Sequence, residues 1–116
     1  FKMKAFGRGK FVTKVPPTEE DVKLAKEALE LAHEVVSGGE YDVVILDEIN
    51  VALHLKLVGV DEVTDLIRNK PKHVELVLTG RDAPPEVVEL ADLVTEMREV
   101  KHPYTKGVRP RRGIEY

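Results

Sequence analysis

A run of four aliphatic residues, Val43-Val44-Ile45-Leu46, places the strongest constraint on the fold of this chain. A strand with one face in water alternates apolar and polar side chains, whereas an uninterrupted apolar run suits a strand buried on both faces. Such strands occur in parallel sheets that are covered by helices. The run therefore predicts an α/β protein with a strand over 41–46 inside its sheet.

Other segments alternate between helical and extended patterns. The clearest helix is predicted to begin at Thr18, where Thr18 and Asp21 resemble a capping box, and to stop at 37–39. The remaining elements are predicted as a short strand before the loop that ends at Pro17, helices at 60–69 and 86–91, and strands at 74–78 and 93–98. Strands that alternate with helices predict a three-layer fold with a mostly parallel sheet and right-handed crossovers.

The length of 116 residues suits one domain, or a large part of one, and we expect 101–116 to form an irregular tail. The absence of cysteine excludes disulfides and thiolate metal sites, and it fits a cytoplasmic protein. No apolar run approaches the roughly 20 residues that span a membrane. Both ends of the chain are basic, but no RNA-binding signature accompanies them, so nucleic acid is not expected as a partner.

Asp47 and Glu48 directly follow the predicted buried strand. Open α/β folds bind ligands at the carboxyl edge of the sheet, and hard oxygen ligands there suit Mg²⁺ that bridges nucleotide phosphates. This is the Walker B pattern. The pattern fits equally well a core strand that ends in a solvated turn, and the two interpretations stay open on these residues alone.

Thr79-Gly80-Arg81 follows the strand predicted at 74–78. If the two strands are neighbours, this tripeptide lies at the same edge as Asp47 and Glu48. Glycine allows the backbone to approach a ligand closely, threonine offers a hydroxyl, and the arginine fork matches phosphate oxygens. An ordinary β-to-α turn with an exposed arginine is the alternative.

The phosphate-binding loop that normally accompanies a Walker B strand is not found in these 116 residues. Its Gly-x-x-x-x-Gly-Lys-Ser/Thr pattern is approached only at Gly9-Lys10, where Lys4 replaces the first glycine and Phe11 replaces the hydroxyl residue. The four histidines are scattered without the tight spacing of metal ligands. The sequence therefore predicts half of a nucleotide site.

From Tyr41 onward the chain resembles the P-loop type of corrinoid adenosyltransferases. The matching blocks occur in the family's order and are 41–53, 77–85, 91–98, 101–104 and 113–116. The resemblance implies a sheet of the P-loop nucleotide hydrolase, or RecA-like, type. It also implies a reaction in which the 5′-deoxyadenosyl group of ATP passes to the cobalt of a corrinoid and triphosphate leaves.

The same resemblance assigns roles to individual residues. Asp47 and Glu48 would be the catalytic carboxylates that hold Mg²⁺ on the triphosphate, and Phe11 would crowd the lower face of the corrin. The residues expected to contact the phosphates are Thr79, Gly80, Arg81, Arg111 and Arg112.

Because family members begin with a strand and a phosphate-binding loop that these residues lack, we expect an N-terminally truncated domain with low activity alone. Strands left open beside the gap would invite pairing with another chain, so we also expect a homo-oligomer. The alternative hypothesis is a non-catalytic fragment, or a module that binds ATP or corrinoid and assembles as an oligomer. ATP and a corrinoid are the small-molecule partners in either case, and no membrane partner is expected.

Overall fold

The computed structural model describes residues 1–7 and 16–114. Its elements are α1 (Glu19–Gly38), β1 (Val43–Leu46), α2 (Ile49–His54), α3 (Val60–Asn69), β2 (Glu75–Leu78), α4 (Pro85–Leu90) and a 3-10 helix at Pro103–Lys106. The predicted strands at 41–46 and 74–78 and the three predicted helices are confirmed. Helix α2 was not predicted, because six residues of mixed polarity are too few to show a helical period.

Helix α1 begins at the predicted capping box. The Thr18 hydroxyl accepts a hydrogen bond from the Asp21 N–H (3.3 Å), and the Asp21 carboxylate accepts one from the Thr18 N–H (2.9 Å). These reciprocal bonds satisfy backbone donors that the first turn leaves without partners. The helix ends at Gly39, whose φ of 66° is the left-handed conformation that glycine adopts without steric penalty.

Strands β1 and β2 pair in parallel, and Val43 lies opposite Glu75 while Leu46 lies opposite Leu78. Alternate side chains of each strand therefore point to opposite faces. The inner face of the sheet is formed by Val44, Leu46, Leu76 and Leu78, which pack against the core. The helices cover this face with Leu29, Ala32, Val36, Leu53, Val63, Leu66 and Val87.

The outer face of the sheet is open in the described part of the chain. Val43 and Ile45 are each 55% exposed, and Val77 is 41% exposed. The prediction that both faces of β1 are buried is therefore wrong for these residues, because helices α1 to α4 all contribute to the core on the inner face. The α/β class and the parallel pairing are confirmed, and a second helical layer stays a prediction.

Two predicted strands are not present in the residues that the structure describes. Residues 91–100 contain no helix or strand, and Leu93 and Met97 are 84% and 94% exposed. Residues 1–7, at the start of the other predicted strand, are also without regular structure. A strand exists only when a neighbour accepts and donates its backbone hydrogen bonds, and no described segment pairs with either. Assignment of 1–116 to one domain with a tail at 101–116 stays a prediction.

Among the described residues, no helix combines the length and the apolar character that a membrane crossing requires.

The two faces of β1 can be compared with one chemical change, because Val43 and Val44 are adjacent and face opposite sides. Val44→Thr places a hydroxyl against the core, so we expect the free energy of unfolding to fall by about 1–3 kcal/mol. Val43→Thr places the same hydroxyl in water, and a change within about 0.5 kcal/mol is expected. Urea denaturation measures both. Equal losses that depend on protein concentration would mean that a second copy covers the outer face.

Candidate functional site

Parallel pairing brings the two predicted polar segments together. Because Leu46 lies opposite Leu78, the residues that follow each strand emerge side by side at the carboxyl edge of the sheet. The Thr79 N–H donates to the Leu46 carbonyl oxygen (3.3 Å), which extends the strand pairing by one more bond. Asp47, Glu48, Thr79 and Gly80 therefore form one local cluster, which we call the edge cluster.

Thr79 is the hydrogen-bonding centre of the edge cluster. Its hydroxyl donates to Asp47 Oδ1 over 2.6 Å and accepts from the backbone N–H of Glu48 over 2.9 Å. The hydroxyl thereby uses its one donor and one of its two acceptor positions. A short bond to a carboxylate is among the stronger hydrogen bonds in proteins. Thr79 therefore fixes the Asp47 side chain in a defined orientation.

Glu48 is held in an uncommon backbone conformation. Its φ and ψ are 61° and 20°, in the left-handed region that non-glycine residues seldom occupy. The hydrogen bond from its N–H to the Thr79 hydroxyl helps to hold this conformation. The Glu48 carboxylate is exposed and has no hydrogen bond or ion pair in the part of the chain that the structure describes. It is therefore available to a ligand.

Gly80 allows two elements to approach each other closely. Its φ is 116°, and a β-carbon built on it would lie 3.1 Å from the Asn50 β-carbon and 3.3 Å from the Val51 nitrogen. Any other residue would be strained both by the backbone conformation and by these contacts. The glycine thus lets the turn after β2 pack directly on the start of α2.

Asn50 is a member of this site that sequence reasoning missed. It is only 6% exposed, and its N–H donates to the Thr79 carbonyl oxygen (3.1 Å) while its Nδ2 donates to the Gly80 carbonyl oxygen (3.4 Å). The available signal was one polar residue within the apolar stretch 49–53. Such a residue is as easily placed on a solvated helix face, so the burial itself could not be predicted.

Arg81 directly follows the edge cluster and is exposed. Its guanidinium makes no hydrogen bond or ion pair with the residues described. The next residue, Asp82, has a φ of 58° and lies 3.9 Å from His54 Nδ1, a distance at which two exposed side chains interact weakly. The placement of Arg81 beside a phosphate stays a prediction.

The other predicted site residues are not members of the edge cluster. Arg111 and Arg112 are exposed residues of the tail beyond the 3-10 helix. Phe11, the predicted corrinoid contact, lies outside the described residues. Their roles remain predictions.

No group of three or more His, Asp or Glu side chains in residues 1–7 and 16–114 is arranged to hold a metal ion. The pair Asp47–Glu48 therefore cannot form a metal cage made of protein alone. Magnesium does not need one, because it is usually held by one or two carboxylates together with water and substrate phosphates. The hard oxygens of the pair fit that ion better than zinc, which prefers nitrogen and sulfur ligands.

Comparison with known proteins relates the whole chain to one family. The family model described as ATP:corrinoid adenosyltransferase BtuR/CobO/CobP matches residues 1–116. A corrinoid adenosyltransferase from Sinorhizobium sp. is 41% identical over 83% of this chain and 45% of its own length. Those of Pseudomonas aeruginosa and Escherichia coli K12 are 33% and 31% identical, over 91% and 84% of this chain.

The chain belongs to the ATP:corrinoid adenosyltransferase family, because the family model covers its whole length. It spans about half the length of the three relatives named above, which it covers to 45%, 52% and 50%.

The close packing at Gly80 can be tested against a second glycine. Gly80→Ala should lower the free energy of unfolding by about 1–3 kcal/mol, since alanine is strained at this φ. Gly38→Ala is the matched control. Nothing lies within 4 Å of a β-carbon at Gly38, which is helical, so this change should be neutral or stabilise by about 0.5–1 kcal/mol. Thermal unfolding of both variants measures the difference, and equal effects would contradict the tight approach to α2.

Proposed function

We propose that this chain supplies the carboxylate and phosphate-contacting part of an ATP:corrinoid adenosyltransferase. The observation that carries the proposal is the hydroxyl of Thr79, which joins Asp47 and the Glu48 backbone at the carboxyl edge of a parallel sheet. Ligands of open α/β folds bind at this edge. The family membership indicates which reaction to expect, and the edge cluster contains residues that suit its leaving group, the triphosphate.

The proposed reaction is a nucleophilic displacement at the ribose of ATP. The Co(I) centre of the corrinoid substrate attacks the 5′ carbon, a cobalt–carbon bond forms, and the bond from that carbon to the triphosphate oxygen breaks. The electron pair of the broken bond leaves with the triphosphate. The corrinoid thus provides the reactive group, and the protein has to position ATP and stabilise the departing charge.

Asp47 and Glu48 are the residues that would hold Mg²⁺ on the triphosphate. When bound, the ion would neutralise charge on the leaving phosphates. Asp47 is oriented by Thr79, and its second carboxylate oxygen, Oδ2, accepts no hydrogen bond from the described residues. Glu48 has a side chain without partners in the same part of the chain. One carboxylate is therefore held ready for an ion and the other is able to adjust to it.

Positive charge and backbone groups after β2 would contact the phosphates. The close packing of Gly80 on α2 keeps this turn compact, and Arg81 extends from it with a guanidinium that can form two parallel bonds to phosphate oxygens. Arg111 and Arg112 would add charge from the tail. Phe11 would contact the corrinoid.

The remaining half of the nucleotide site has to come from elsewhere, since the 116 residues contain no P-loop motif. We propose that a phosphate-binding loop from another segment or another chain completes the site. We propose further that the assembled fold is the three-layer, RecA-like type, with a mostly parallel sheet whose outer face is covered. Exposed Val43, Ile45 and Val77 support this completion, because exposed apolar patches commonly mark contact surfaces.

The same exposed face favours a second candidate function. A chain that covers this face with a copy of itself would be an oligomeric module that binds ATP or corrinoid without turnover.

Anaerobic incubation of the chain with chemically reduced cob(I)alamin and Mg·ATP, followed by absorbance, tests the proposal. We expect the chain with a P-loop segment added ahead of residue 1 to convert the corrinoid to adenosylcobalamin. Without that segment we expect slow conversion or none. Tight ATP binding with no conversion by either form would favour the binding module. The absence of both binding and conversion in both forms would contradict the proposed function.

Substitutions in the edge cluster should act on Mg·ATP more than on stability. Asp47→Asn and Thr79→Val should each weaken Mg·ATP binding at least about tenfold, because one removes a carboxylate charge and the other removes the bond that orients it. Asp42→Asn changes a carboxylate at the opposite end of β1 and is the matched control, with no expected effect. Calorimetric titration measures the affinities. An equal loss in Asp42→Asn would point to net charge rather than to the edge cluster.

A further inference from the structure

Asn50 connects the turn after β2 to helix α2 through two hydrogen bonds, one from its backbone and one from its side chain. We propose that Asn50 is a positioning residue, which holds the turn so that the Thr79 hydroxyl reaches Asp47 and the Glu48 N–H together. The inference rests on the proposed function, in that it assigns a further residue to the same phosphate-contacting edge.

The two bonds act on consecutive carbonyl groups. The backbone N–H of Asn50 bonds to the Thr79 carbonyl oxygen, and Nδ2 bonds to that of Gly80. The carbonyl groups on both sides of the Gly80 α-carbon are therefore fastened to one residue of α2. This arrangement restrains Gly80 at its φ of 116°, a conformation that a free glycine samples only as one of several.

Restraint of the turn determines where Thr79 points. Its hydroxyl spans 2.6 Å to Asp47 and 2.9 Å to the Glu48 nitrogen, so a small rotation of the Thr79 backbone would break one of the two bonds. Asn50 does not touch Asp47 in any interaction that the structure gives. It acts on the carboxylate through Thr79.

The other end of the Asn50 side chain indicates that stability alone does not account for this residue. Its Oδ1 atom is buried and has no hydrogen-bond partner among the residues described. A buried polar atom without a partner destabilises the folded state. Leucine has a similar branched shape and no polar atom, so it would remove that penalty. The retained amide is explained by its bond to Gly80.

Capping of α2 does not explain the amide either. The N-terminal end of α2 has no side-chain capping hydrogen bond, and Asn50 Nδ2 is directed to the turn after β2. Its effect is therefore on the edge cluster rather than on the helix that carries it.

Asn50→Leu tests this role with two measurements. Since the variant loses both the Gly80 bond and the unsatisfied Oδ1, we expect a urea midpoint equal to or above that of the parent chain. We also expect the Glu48 amide to exchange with solvent roughly fivefold faster relative to the Val36 amide, because one restraining hydrogen bond is lost. Mg·ATP binding should weaken by a similar factor. Asn50→Asp sets an oxygen against the Gly80 carbonyl oxygen. It should therefore change both the amide exchange ratio and the Mg·ATP affinity by a larger factor.

Leu53→Ala is the control for a merely structural effect, since it opens the core under the same helix. It should lower the urea midpoint and accelerate the Glu48 and Val36 amides together. The same behaviour in Asn50→Leu would overturn the proposal, as would an unchanged ratio of the two amide rates. If the parent chain binds no Mg·ATP, the proposed function fails for this chain, and the amide ratio still decides whether Asn50 positions the turn.

Discussion

Backbone hydrogen bonds that pair β1 with β2 determine the position of every residue in the edge cluster. At one end of the strands the Glu75 N–H donates to the Asp42 carbonyl oxygen at 2.8 Å. At the other end the Thr79 N–H donates to the Leu46 carbonyl oxygen. Parallel pairing requires a long connection, and here α2 and α3 provide it by packing on the inner face of the sheet. Residues 32 positions apart in the sequence, Asp47 and Thr79, consequently lie within hydrogen-bonding distance.

The two faces of this sheet differ in what they contribute. The inner face meets a core in which Val36, Val63 and Leu66 are essentially inaccessible to solvent, so it stabilises the described fold. The outer face contributes little of this kind, because its valine and isoleucine side chains remain substantially exposed. The edge cluster lies where both faces end, and its own hydrogen bonds need only the inner layer. The Asp47 carboxylate is therefore oriented although the outer face is exposed.

Local patterns in the sequence predicted the elements that are determined locally. The capping box at Thr18 and the apolar run of β1 each specify their element through nearby residues. The alternation of strands and helices predicted a parallel sheet, and it predicted the meeting of Asp47 and Thr79 on the condition that β1 and β2 are neighbours. Strand formation at 93–98 was predicted wrongly, because it depends on a neighbour that a local pattern cannot supply. The burial of Asn50 depends on how the glycine turn packs, which no local pattern contains.

Departures from the most stable choice of residue and conformation concentrate at the edge cluster. Three non-glycine residues with positive φ occur in the described chain. One is Glu48, a member of the edge cluster, and another is Asp82, two residues after Gly80. Asn50 adds the buried amide oxygen without a partner. Strain and unsatisfied polar groups lower stability, and they persist where the surrounding structure holds them for a functional reason. The tightly packed helical layer offsets that loss, which explains why a small two-stranded sheet can carry so constrained an edge.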